Sequence, residues 1–121
     1  MLNYEEILTA AFAAADAAIA AEVAKRPENE RDFDCGFAWV TIDGQDGLAR
    51  HCRAKLKAMG PKASYAEKSR YGDKGYPRGW QFWKPGNHNG QSVRIFEAGA
   101  RGFRDELAKY GIRADVGSRL D

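Results

Sequence analysis

The stretch that decides the fold is Phe33-Asp34-Cys35-Gly36-Phe37-Ala38-Trp39-Val40-Thr41-Ile42. Phe33, Cys35, Phe37, Trp39 and Thr41 alternate with Asp34, Gly36, Ala38, Val40 and Ile42, the period of a strand. Apolar residues occupy both sets, so both faces are at least partly covered and the strand belongs in the middle of a sheet. Asp43-Gly44 closes it with a turn. Asp46 then caps a helix predicted over 47–59, with Leu48, Cys52, Leu56 and Met59 facing inward and Gly60-Pro61 as its stop.

Upstream, residues 2–25 read as one long helix. Leu8, Phe12, Ala15, Ile19 and Val23 recur at the helical period, while Glu5, Glu6, Asp16 and Glu22 fall elsewhere. Its many alanines make it smooth, which suits core packing or a homodimer formed with a second copy of the chain; core packing is the default. Pro27 and the charged residues 28–32 end the helix and form a linker. Downstream, short strands are predicted over 62–69, 80–84 and 91–96. A helix over 97–110 ends at Gly111, and Ile112, Ala114 and Val116 begin a final strand. The expected fold is a single α+β domain over 1–121, with 1–25 as the Ala-rich helix. One mixed or antiparallel sheet of about four or five strands packs with three helices.

Composition narrows the function. The 121 residues carry 19 Lys and Arg against 17 Asp and Glu, a net charge of +2, too weak to declare a nucleic-acid binder. At 44% hydrophobic residues the chain has the makings of one folded core. Two cysteines without a C-x-x-C spacing fit reduced thiols in a cytoplasm. The apolar run 7–21 lacks the positive flank of a signal peptide, and no stretch approaches the roughly 20 apolar residues of a membrane span. No membrane association is expected.

Charge is local. Residues 62–96 hold seven basic side chains (Lys62, Lys68, Arg70, Lys74, Arg78, Lys84, Arg94) against Glu67 and Asp73. That leaves +5 there and −3 elsewhere. Tyr65, Tyr71, Tyr76, Trp80, Phe82 and Trp83 are interleaved with these cations, and Asn87, Gln91 and Ser92 add amides and a hydroxyl. Indoles stack on bases, Arg and Lys bind phosphates, and amides read base edges or ribose hydroxyls. The candidate ligand-binding residues are Trp39, Arg70, Trp80, Trp83, Lys84, Asn87, Gln91, Ser92, Arg94 and Arg119. Strand alternation puts Trp80 and Phe82 on one face and Gln81 and Trp83 on the other, with Trp83 chosen for the ligand side. At the C-terminus Arg119 is placed to take a phosphate or to pair with Asp121, although a frayed tail is the usual outcome.

Phosphate loops of the G-x-x-x-x-G-K-[ST] and dinucleotide kinds are absent. Cys35, His51, Cys52 and His88 are the only zinc candidates of the Cys and His type, and on a helix His51 and Cys52 diverge by about 100°. No metal, no cofactor and no catalytic residue is expected, and the chain reads as a non-enzyme.

The motifs Cys35-Gly36-Phe37-Ala38-Trp39-Val40, Trp83-Lys84-Pro85, Gln91-Ser92-Val93, Gly99-Ala100 and Ser118-Arg119-Leu120-Asp121 resemble a family of small phage-encoded proteins, mostly uncharacterised. The resemblance covers about residues 33–121. It implies an anti-defence factor, a sponge that binds and sequesters a small nucleotide immune signal, cyclic ADP-ribose-like or a cyclic dinucleotide, without cleaving it. The site of action would be the host cytoplasm. Micromolar affinity needs about −8 kcal/mol after the cost of association, so a sponge calls for an enclosed pocket. The alternatives are a nucleic-acid-binding module using the basic aromatic 62–96 segment, with steep salt dependence, and an inhibitor of a host protein anchored by Trp80, Tyr76 and Arg78.

Overall fold

A computed structural model describes residues 3–26 and 34–120. The expected linker at 27–32, Phe33 and Asp121 lie outside the described residues. The elements are α1 (Tyr4–Ala24), β1 (Gly36–Ile42), α2 (Gly47–Met59), α3 (Tyr65–Ser69), β2 (Asp73–Lys74), β3 (Trp80–Trp83), α4 (Val93–Ala108) and β4 (Ala114–Leu120). The four strands form one sheet in the order β2-β3-β1-β4, every neighbouring pair antiparallel. The α+β class and the central position of β1 agree with the sequence expectation. With α1 and the short α3 set aside, the connectivity β-α-β-β-α-β is that of a split β-α-β sandwich.

Three boundaries differ from expectation, each because a cap outweighs strand character or the tail pairs. Residues 62–69 contain a helix and no strand. Ser64 accepts from the Glu67 backbone N–H at 3.2 Å while its hydroxyl donates to Glu67 Oε1 at 3.2 Å, an N-cap that starts α3. Residues 91–96 do not form a strand beyond an isolated bridge from Ser92 to Cys35. Ser92 caps α4, which therefore begins four residues before its predicted start, at Val93. The C-terminal tail is the edge strand β4, running to Leu120 with Gly36↔Leu120 as its outermost pair. By contrast α2 has the predicted bounds, with Asp46 accepting from the Leu48 N–H at 2.8 Å.

One face of the sheet carries the core. Ala38, Val40, Ile42, Trp80 and Phe82 are buried there together with Phe96, Ala100, Phe103 and Leu107 of α4. Phe103 is central, with ring centroids 5.0 Å from both Phe82 and Phe12. Helix α1 packs on α4 at close range through small residues. A Cβ at Gly102 would lie 2.8 Å from the Ala14 carbonyl oxygen, and one at Gly99 2.8 Å from Ile19. The alanine stripe is thus engaged within the chain, with Ala11 and Ala15 fully buried. At 21 residues and a mean hydropathy of 1.7, α1 is long and apolar enough to cross a membrane, which corrects the expectation that no stretch is. Here its line Ile7, Leu8, Ala11, Ala15, Ile19 is buried.

The N-terminal end of α1 is fastened by Glu5. Its carboxylate meets His51 Nε2 of α2 at 2.6 Å, accepts from the Tyr71 hydroxyl at 2.9 Å and pairs with Arg70 at 3.3 Å. An ionised carboxylate only accepts, so His51 carries its proton on Nε2. Burial pushes the Glu5 pKa up, but the hydrogen bonds from His51 and Tyr71 and the Arg70 charge outweigh it and leave the pKa lowered. A lowered folded-state pKa stabilises above the unfolded value, and the gain is lost as pH falls through the folded one. Glu5→Gln is therefore expected to lower the urea midpoint at neutral pH. The gap from the wild type should close in acid, below the ordinary value of 4.5. A gap that persists unchanged to low pH would show that the charge contributes nothing. The site is partly exposed, so the effect is modest.

Candidate functional site

The other face of the sheet reaches solvent. Along β1, Phe37, Trp39 and Thr41 are half-buried where their neighbours Ala38, Val40 and Ile42 are buried. Registry with the flanking strands arranges this face in rows. Trp83 pairs with Trp39, and Trp39 with Gly117; Gln81 pairs with Thr41, and Thr41 with Asp115; Phe37 pairs with Arg119. Asp73 of β2 extends the polar row beyond Gln81.

The aromatic row is a built surface. The indoles of Trp39 and Trp83 stand at 14° with centroids 5.6 Å apart, and Phe37 lies 5.3 Å from Trp83. Trp83 is 40% exposed. Gly117 is what lets the Trp39 ring lie across β4, since a Cβ there would come within 2.5 Å of the indole nitrogen. Lys84, directly after β3 and at a φ of 46°, sets its ammonium 5.8 Å from the Phe37 centroid and 5.3 Å from that of Phe96, within cation–π range.

Two open grooves border the face. One, of about 750 Å³, runs between the end of α2, α3 and the β2–β3 edge, with Leu56, Tyr65, Lys68, Asp73, Gln81 and Trp83 among its walls. The other, of about 620 Å³, is lined by Thr41, Asp43, Arg78, Arg113 and Asp115, among others. Neither is an enclosed pocket of the kind a tight sponge calls for.

Of the ten candidate residues, four lie on or beside this face: Trp39, Trp83, Lys84 and Arg119. The others do not join them. Trp80 is a core residue, 7% exposed, whose indole N–H donates to the Tyr71 carbonyl at 2.8 Å under the Arg53 guanidinium. It cannot anchor an interface with Tyr76 and Arg78, although Tyr76 itself is 96% exposed on the β2–β3 loop. Arg70 is spent on α1, bonding the Glu5 carbonyl oxygen at 2.9 Å and the Thr9 hydroxyl at 3.0 Å. Ser92 is buried as the α4 cap. Arg94 pairs with Asp34 at 3.0 Å, the Asn87 N–H donates to Asp16 of α1 at 2.8 Å, and the Gln91 carbonyl accepts from the Gly36 N–H at 2.9 Å. These four belong to the turn into α4 and its start.

Phe37, Thr41, Gln81 and Asp115 belong to the face without being among the sequence candidates. The period-two pattern that places Trp39 also puts Phe37 and Thr41 beside it. Of the thiols, Cys52 is buried and its pKa is pushed up to about 12, by burial first and by the Glu5 charge second, so it is no nucleophile at neutral pH. No group of three or more His, Cys, Asp or Glu side chains gathers to hold a metal among the described residues. No family model, no curated protein and no solved structure matches the chain.

Proposed function

We propose that the protein binds single-stranded nucleic acid across the open face of its sheet, without turning it over. The observation that carries this reading is the near-parallel pair Trp39–Trp83 on the two central strands. Four-stranded sheets that present aromatic rings from their central strands stack unpaired bases, and each base–ring stack contributes about 1–3 kcal/mol. Gln81 and Thr41, one row along, offer an amide and a hydroxyl to base edges. Lys84 and Lys68 flank Trp83 and are available to phosphates.

A second reading is sequestration of a small nucleotide immune signal by a phage-type protein in the host cytoplasm. The groove of about 750 Å³ walled by Trp83, Gln81 and Lys68 favours it, being large enough for a nucleotide. Its openness ranks it second.

Fluorescence anisotropy separates the two. Labelled single-stranded oligonucleotides of increasing length are titrated beside cyclic dinucleotides and ADP-ribose derivatives. Strand binding predicts affinity that grows with length until the face is covered. With two lysines available, log K should fall with log salt with a slope of about −1.4, at about 0.7 per phosphate neutralised. This is a shallower dependence than a continuous basic groove gives. Saturable binding of the small nucleotides with no gain from longer strands would favour sequestration. No binding of either class would end both readings.

A further inference from the structure

We infer that two copies of this chain join through β4, edge to edge, to make one continuous eight-stranded sheet. The inference does not rest on what the face binds. β4 is a seven-residue strand that pairs with β1 on one side and with nothing on the other among the described residues. A long, regular edge without proline or bulge is a template for another strand. Asp115 and Arg119 lie on this edge two residues either side of Gly117, both on the solvent face, and neither makes an ion pair among the described residues.

Those charges choose both the occupant and the register. In a two-fold antiparallel pairing, residues opposite one another must both point their backbone groups outward or both inward, so their numbers sum to an even value. Gly117 set opposite Gly117 brings Asp115 opposite the second copy's Arg119, and Arg119 opposite its Asp115: two attractive cross-strand pairs. A shift centred on Val116 sets Arg113 against Arg119, like charges opposed twice, and one centred on Ser118 sets Arg119 against Gly117 and removes both attractive pairs. The charges are therefore complementary in one register, repulsive in one beside it and without an attractive pair in the other. That register also sets Leu120, 63% exposed at the strand's end, against Ala114.

Such a dimer has its two solvent faces on the same side. The two Trp39 side chains would then start three strand spacings apart, about 14 Å, which doubles the aromatic surface into one platform.

The test is a charge swap read by sedimentation velocity over a concentration series, with circular dichroism as the check on folding. The wild type is expected to dimerise. D115R and R119D each turn two attractions into two repulsions and should raise the dimer dissociation constant by about tenfold or more. D115R/R119D together restore opposite charges across the edge and should restore the dimer. A wild type that stays monomeric throughout, single variants that dimerise as well as the wild type, or a double variant as weak as the singles would each overturn the inference. Unimpaired single variants would point instead to another surface, such as the exposed side of α1.

Discussion

Replacing both indoles of the open face, Trp39→Ala with Trp83→Ala, is expected to lower affinity for single-stranded oligonucleotides by about a hundredfold or more while the protein stays folded. Each stacked base is worth about 1–3 kcal/mol, and a tenfold change in affinity corresponds to about 1.4 kcal/mol. Each single variant should therefore lose roughly five- to a hundredfold. The losses will not add, because the two rings touch, with centroids 5.6 Å apart, and removing one frees the other to move. The chain provides its own optical control. It has three tryptophans, and the third, Trp80, is buried and hydrogen-bonded to the Tyr71 carbonyl. In the wild type, oligonucleotide should quench the emission of the exposed pair. In the double variant only the Trp80 emission remains, and titration should leave it unchanged. Affinity unaltered by the double substitution, in a protein that still melts cooperatively, would remove the stacking surface from consideration.

The pattern in β1 is legible in the sequence because alternation is a local property. Each of Phe37 to Ile42 declares its face by its position alone, while Asp43-Gly44 marks the turn after it and Asp46 the start of α2. The division of Trp80 and Phe82 from Gln81 and Trp83 is legible for the same reason. The N-cap Ser64 with Glu67 three residues on is equally local, yet the β-compatible aromatics around it favour a strand where α3 stands. Tertiary partners are out of reach. Nothing near Arg70 announces that it is bound to Glu5 and Thr9, some sixty residues away in the chain. Asn87, Gln91, Ser92 and Arg94 lie close to Trp83 in sequence, but the chain turns away from the open face at Pro85-Gly86. Gly86, with φ of 102°, is pressed against Ala15 and Ile19 of α1, so proximity in sequence wrongly assigns those four to the ligand surface. The edge charges of β4 are hidden differently: without the strand order, Arg119 is a residue in a tail, and its relation to Asp115 has no meaning.

The opposite face of the sheet supplies the second large effect. Phe103→Ala is expected to destabilise the protein by about 3–5 kcal/mol, the cost of deleting a fully buried aromatic ring and leaving part of its volume empty. The ring is 0% exposed and lies edge-on to Phe12 of α1 at 5.0 Å and tilted to Phe82 of β3 at 5.0 Å. It is therefore the point at which the N-terminal helix, α4 and the sheet meet, and no single neighbour can close the gap without moving a whole element. Domains of this size are stable by about 5–15 kcal/mol, so the substitution removes a large share of the total. At about 2–8 °C per kcal/mol, the thermal midpoint should fall by at least about 6 °C. Phe103→Leu keeps most of the volume and should lose distinctly less. Because Phe103 lies beneath the sheet and Trp39 and Trp83 above it, the folded fraction of Phe103→Ala should bind oligonucleotide as the wild type does at temperatures well below its midpoint. A weakened midpoint with intact binding, set beside an intact midpoint with lost binding for the two indoles, assigns the two faces of one sheet to two different tasks. A midpoint shift of only a degree or two in Phe103→Ala would show that α1 is not held to the sheet through this ring.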